Sequence, residues 1–213
     1  MSARLLALCA VLAATSLAGC GSLLGPTATP PHRFSLEGAM PGDAVAPPAA
    51  RAPSAPVLVV TPPTAAPGFA TDRMVYLRAP QEPQPYAENA WVESPPRMLA
   101  PLVVQALQRD PALQAVVASP TSAAGQVQLD TEVLALQHEL YGGASRVRFA
   151  LRVTIVDKRG PQQRVMAMDL VDAVPTQADN AAGFAHAARD AVSSVLKQLA
   201  DVVAAQVRRP AGS

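Results

Sequence analysis

Thiol and imidazole groups are nearly missing from this sequence: of 213 residues, two are cysteine and three are histidine. Cys9 and Cys20 both lie at the front, so the rest of the chain has no disulfide and must hold itself by packing alone. His32, His138 and His186 are scattered over a strand, a strand end and a helix. No two of them stand three to five residues apart, the spacing that a metal site on one element needs. Each is therefore expected at the surface or a boundary, and no metal or other cofactor is expected. A charge surplus is missing too: 17 basic residues face 16 acidic ones, and with Arg4 set aside in the leader the remainder balances. That argues against a nucleic-acid partner, which demands excess Lys and Arg on one face. There is no Gly-x-Ser-x-Gly elbow and no Gly-rich phosphate loop with its lysine, so neither a hydrolase nor a nucleotide-driven enzyme is expected. Ser193 and Ser194 have no local base, and Asp130 and Glu132 share a strand face that alternation already makes wet, so no acid–base pair is assigned. The longest apolar run falls short of the roughly 20 residues that a membrane span requires.

What is present begins at the front. Arg4, an apolar run over residues 5–14 and the small residues before Cys20 form an export signal. Leu17-Ala18-Gly19-Cys20 resembles the lipobox of bacterial lipoproteins. That resemblance implies cleavage before Cys20, a diacylglyceryl group on its thiol and fatty acyl chains such as palmitate. Each buried methylene contributes about 0.8 kcal/mol to membrane binding, so two or three chains make a lasting anchor. Gly21 stands where an aspartate would retain the protein at the inner membrane, which resembles lipoproteins sorted to the outer one. The expectation is a signal peptide at 1–19, lipid attachment at Cys20, a flexible tether at 20–31 and a domain held on the periplasmic side of the envelope. At roughly 3.3 Å per residue the stretch 21–31 reaches at most about 36 Å, so the domain works near its membrane.

Proline, 22 residues of it, concentrates before Pro120 and marks a loop-rich front. His32-Arg33-Phe34-Ser35-Leu36 alternates as a short strand, and residues 38–56 read as a disordered Pro/Ala-rich loop. Val57-Leu58-Val59-Val60 reads as a buried strand and Met74-Val75-Tyr76-Leu77 as another, ended by residues 79–85. Ser94-Pro95 opens a first helix carrying Met98, Leu99, Leu102, Val103, Ala106 and Leu107, with Pro101 a defect near its start. Trp91 is expected to be a core anchor for that helix. Residues 126–136 alternate Val127, Leu129, Thr131, Val133 and Ala135 against Gln128, Asp130 and Glu132. Tyr141-Gly142-Gly143 turns the chain, and residues 146–157 put Val147, Phe149, Leu151, Val153 and Ile155 inward. Residues 163–174 return with Met166, Met168 and Leu170 on one side, an antiparallel meander. Residues 180–208 form one long helix whose stripe of Phe184, Ala188, Ala191, Val195, Leu199 and Val202 covers the sheet.

The order of these parts, with Phe34-Ser35-Leu36, Asp72-Arg73-Met74-Val75-Tyr76, the stretch from Tyr86 to Trp91 and Arg97-Met98-Leu99, resembles the ABC-type transport auxiliary lipoprotein family, whose members include the paraquat-inducible protein C type. The Pro/Ala-rich insert and Phe34 in place of tyrosine are departures. The resemblance implies an α/β fold like the amino-terminal domain of TolB: a mixed, largely antiparallel sheet packed with two main helices over 32–209, then a tail at 210–213. It implies a non-enzymatic accessory of a system moving phospholipid or other hydrophobic substrates between the two membranes. Its partners would be ABC transporter components, a mammalian-cell-entry (MCE) protein and further copies of itself; a TolB-like envelope scaffold is the alternative. Arg146, Arg148 and Arg152 share one outward strand face. Either Gln128, Asp130 and Glu132 on the neighbouring strand balance them in a solvated face, or they form a contact surface for an acidic partner or lipid headgroups.

Overall fold

The computed structural model describes residues 30–39, 51 and 54–210. Cys20 and the leader, residues 20–29 of the expected tether, most of the 38–56 loop and residues 211–213 of the tail lie outside these. From Pro31 onward the chain forms one compact unit.

One strand is the spine of that unit. β7 (Val127–Glu139) has β8 (Arg146–Asp157) antiparallel along one side for its whole length. Along its other side three short strands follow one another in parallel. These are β2 (Val57–Val60) at Leu58↔Val127, β3 (Thr64–Ala65) at Thr64↔Glu132 and β4 (Arg73–Leu77) at Val75↔Gln137. Outside β2 lies β6 (Ala115–Ala118), outside β4 lies β5 (Pro83–Trp91), and outside β5 lies β1 (His32–Phe34). β9 (Arg164–Pro175) completes the meander on β8. The expected mixed sheet is therefore present, and its longest ladders are antiparallel. Gly142 and Gly143, with φ of +81° and +92°, supply the left-handed backbone of the β7–β8 turn.

Two helices complete the fold. α1 (Pro95–Leu107) starts on Pro at its first position and passes unbroken through the exposed Pro101. The cost is confined to one missing internal bond. α2 (Ala181–Arg208) begins at Asn180, whose side chain accepts the Gly183 amide at 2.9 Å. A Cβ on Gly183 would lie 2.2 Å from the Ala178 carbonyl oxygen, so only glycine lets the incoming chain fold this tightly against the first turn. Phe184, Ala188, Ala191, Val195 and Leu199 are buried as the stripe requires; Val203 completes it, with Val202 half-exposed beside it. α2 lies on the face of the sheet that carries Val147, Phe149, Leu151, Val153 and Ile155, all buried with it in one core.

Several expectations need correction. The stretch 79–85 does not merely end a strand: from Pro83 it enters β5 (Pro83–Trp91), prolines included, which returns antiparallel on β4. β3 and β6 lie in stretches that show no pattern. Trp91 is core, but its ring meets Phe184 of α2 edge-on, with centroids 5.3 Å apart. His138 is not a surface residue; it is fully buried. The register of β7 on β8 skips Leu134, between Val133↔Leu151 and Ala135↔Ala150. This bulge swaps the two faces, so Leu136 and His138 turn inward where simple alternation puts Ala135 and Gln137.

Candidate partner surface

The face of β7, β8 and β9 turned away from α2 is polar and holds all three candidate arginines. Their outward position follows from period-two alternation with the buried Val147, Phe149, Leu151 and Val153. The structure gives them three different surroundings. Arg152 forks onto Asp169 of β9 at 2.9 and 3.1 Å, with Glu132 of β7 3.9 Å away. The guanidinium holds the Asp169 carboxyl below its ordinary range, and the carboxylate in turn raises Arg152. Arg146 donates to Glu139 at 2.7 Å. Burial pushes Glu139 upward, but bonds from Arg146 and Gln137 outweigh it and leave its acidity strengthened. Arg148, exposed between them, stands in register with Gln137 and Ala173 and forms no ion pair with a described carboxylate. It is the one of the three without a paired carboxylate, though its charge is felt by Glu139.

The balancing residues differ from those expected. Glu139 and Asp169 neutralise the arginines, with Glu132 at the margin. Gln128 instead donates to Asp130 at 3.1 Å and accepts from Lys158 at 3.2 Å. Asp130 also receives the Thr61 hydroxyl at 2.7 Å, so the two carboxylates once weighed as a pair are engaged separately. His32 and His186 are exposed, and among the described residues no group of three His, Cys, Asp or Glu gathers as a metal site. No described helix is long and apolar enough to cross a membrane.

On the opposite face, two polar clusters lie under the two ends of α2. At its start, His138 shares a 2.8 Å hydrogen bond with the Tyr86 hydroxyl and stacks on Phe184 at 5.4 Å. On its other side Nε2 lies 3.4 Å from Thr176 Oγ1, and Thr176 bonds Ser145, which donates to Asp179. Burial lowers His138 below its usual range, with Asp179 pulling the other way, and burial next to Tyr76 pushes Tyr86 up to about 12. At the end of α2, buried Asp157 accepts from Arg159 at 2.8 Å and Arg164 at 2.9 Å. Arg159 continues to the Val207 carbonyl at 2.6 Å and so caps the helix. An open groove of about 640 Å³ runs beside this cluster, lined by Arg164, Val165, Met166, Gln206 and Arg209.

Sequence reasoning passed over Val165 and Val171. They stand 61% and 43% exposed on β9, two of three large apolar side chains so exposed among the described residues. Their opposition to Met166, Met168 and Leu170 was visible, but not that β9 would be the last strand.

Comparison with known proteins bears on the whole unit. The sequence model of a family described as "ABC-type transport auxiliary lipoprotein component" matches residues 35–200. The solved structure of protein XCC0632 from Xanthomonas campestris is 22% identical, with a TM-score of 0.61 over 73% of this chain and 91% of that one. A structure described only as an uncharacterized protein is 14% identical, with a TM-score of 0.58 over 82% and 99%. At these identities the likeness is one of fold. No curated protein matches the chain.

Proposed function

Because the chain belongs to the family of ABC-type transport auxiliary lipoprotein components, we propose that it is the lipid-anchored periplasmic accessory subunit of an ABC/MCE-type system moving phospholipid or other hydrophobic substrates between the membranes. The observation that carries this reading is the family match over residues 35–200. The lipobox-like Leu17-Ala18-Gly19-Cys20 ahead of it supports a lipid anchor, and Gly21 in place of a retention aspartate supports the outer membrane as its site. The accessory acts by docking: it binds an MCE-domain protein and transporter components and brings them to the membrane that holds Cys20. Arg148 is the residue of the Arg146, Arg148 and Arg152 face best suited to an acidic partner, because its neighbours are already neutralised. Nothing in the proposal needs a catalytic residue or a cofactor.

Pull-down of the tagged full-length chain from detergent-solubilised envelopes, read by mass spectrometry, is the test. A permease, an ATPase and an MCE-domain protein are expected together, and reversal of Arg148 and Arg152 to glutamate should remove them without changing the melting curve. Recovery of envelope scaffold proteins with none of the three would overturn the transport role and favour the TolB-like alternative. Fatty-acid labelling of wild type against Cys20→Ala tests the anchor separately; equal label in both would sink it.

A further inference from the structure

β9 ends the sheet. It pairs with β8 along its length and with no other described strand. Free edges are usually short or guarded because their unpaired amides and carbonyls accept another strand. This one is twelve residues long.

The direction of its free groups follows from the pairing. Thr176 donates its amide to the Ser145 carbonyl at 3.0 Å, one step beyond the Arg146↔Pro175 pair. Successive residues of an antiparallel strand point their backbone groups to opposite sides. Even-numbered residues of β9 therefore turn to β8 and odd-numbered ones to the open edge. Pro175, which has no amide to offer, falls at an outward position, where a strand tolerates proline. The outward amide of Ala173 is taken by the Asp172 side chain at 2.7 Å. The open ladder thus runs from Val165 to Val171, and its ends are the two exposed valines.

We propose that this edge is completed by the same edge of a second copy, antiparallel, about a two-fold axis through Met168. Centred there, the odd-numbered backbone groups of the two strands face each other. Val165 meets Val171, Met166 meets Leu170, and Arg164 meets Asp172 across the junction. Moving the centre by one residue is the smallest slip that keeps those groups facing. Centring on Asp169 sets that carboxylate against its own image, which repels. Centring on Ala167 sets Asp169 against Val165 and Arg164 against Leu170. The Met168 register alone of the three sets valine against valine and keeps Asp169 from its own image and from Val165, with Arg164, which Asp157 already holds, on the same side as Asp172 of the second copy, and the two-fold axis makes each such contact twice. The occupant is another copy because the strand complements itself.

Such a contact is small beside the roughly 1,200–2,000 Å² of a stable interface, so it is sought by trapping. The full-length chain is expressed in cells and treated with a bismaleimide short enough to span one strand spacing. Met168→Cys should give a dimer on a denaturing gel. Val165→Cys alone and Val171→Cys alone should not, and the two together should. The wild-type chain, treated alike, reports any linkage through Cys20. The double valine variant changes only exposed positions and so tests the register even if Met168→Cys weakens folding. The proposal fails if neither Met168→Cys nor the double variant dimerises while the double variant melts like wild type. It fails equally if a single valine variant links as well as the double one, or if the linked species contains a different protein.

Discussion

The two faces of the β7–β9 meander are made of the same strands, yet they are built on different physics. The face under α2 buries Val147, Phe149, Leu151, Val153 and Ile155 against Phe184, Val195 and Leu199. Its bonded polar clusters lie at the two ends of the helix; between them Thr131, opposite Val153, is buried with its hydroxyl unpartnered. The outer face carries Arg146, Arg148 and Arg152, the carboxylates that two of them hold, and two bare valines. The lesson is that stability and recognition are separated by the pleat: changes inside should cost folding, and changes outside should cost binding.

The sharpest way to break that contrast is Phe184→Ala. Phe184 touches Trp91, Tyr86 and His138 and is fully buried. Removing an aromatic ring from a packed core costs about 3–5 kcal/mol, a large share of the roughly 5–15 kcal/mol by which domains are stable. Urea unfolding should show the midpoint falling sharply. A shift no larger than that of an outer-face variant would mean that the core does not depend on this junction.

The polar ends of the inner face give the next largest effects, resolved by pH. Asp157 is held far below the ordinary carboxylate range, first by the Arg159 hydrogen bond, against burial, and then by further bonds from Arg159 and Arg164. The unfolded chain takes up this proton more readily, so the stabilisation is present above about pH 4 and is lost as pH falls below it. Asp157→Asn should cost about 1–3 kcal/mol at pH 7, with the gap to wild type closing in acid. His138 is lowered by burial. Below about pH 6.5 the unfolded chain binds a proton that the folded one resists, so stability declines as pH drops through that range towards the lower folded value. His138→Gln should flatten the melting temperature between pH 7.5 and 5.5, and an unchanged slope would show that the imidazole is not the group titrating.

How much of this was legible follows the same division. From residue 126 onward, strand partners are sequence neighbours joined by tight turns, and period-two and helical patterns are enough to read β7, β8, β9 and α2. One bulge at Leu134 is enough to defeat that reading locally, since a single extra residue reverses inside and outside, and the strand runs on past its expected end at residue 136 to bury His138, which was expected at the surface or a boundary. Ahead of residue 126, the β4–β5 pair aside, the strands pair in parallel with distant ones, β2 with β7 and β6, and a two-residue strand such as β3 carries no period at all. β5 was hidden by Pro83 and Pro85, which stand in register with Leu77 and Val75 of β4 where β1 does not reach. On that stretch β5 is an edge, where proline is allowed. The arginine face was readable as a face, but not its counter-ions: Asp169 depends on the β9 register, and Glu139 lies beyond the expected end of β7.

The smallest expected effect is also the one that tests the separation most directly. Arg152 and Asp169 form the best ion pair of the outer face, yet both side chains stay close to half exposed, at 49% and 43%. Water competes for both partners and salt screens them, so a well-formed exposed pair contributes little. Arg152→Ala should leave the urea midpoint within the scatter of replicate titrations, at low and at high salt alike. The same variant frees Asp169 beside Ala167 and Val171 on the open strand and adds a bare carboxylate to a face whose proposed partner is acidic. Co-purification of that partner should therefore weaken while the fold does not. If the midpoint instead falls as far as it does for Asp157→Asn, the outer face is holding the sheet together, and the division of labour drawn from the pleat is wrong.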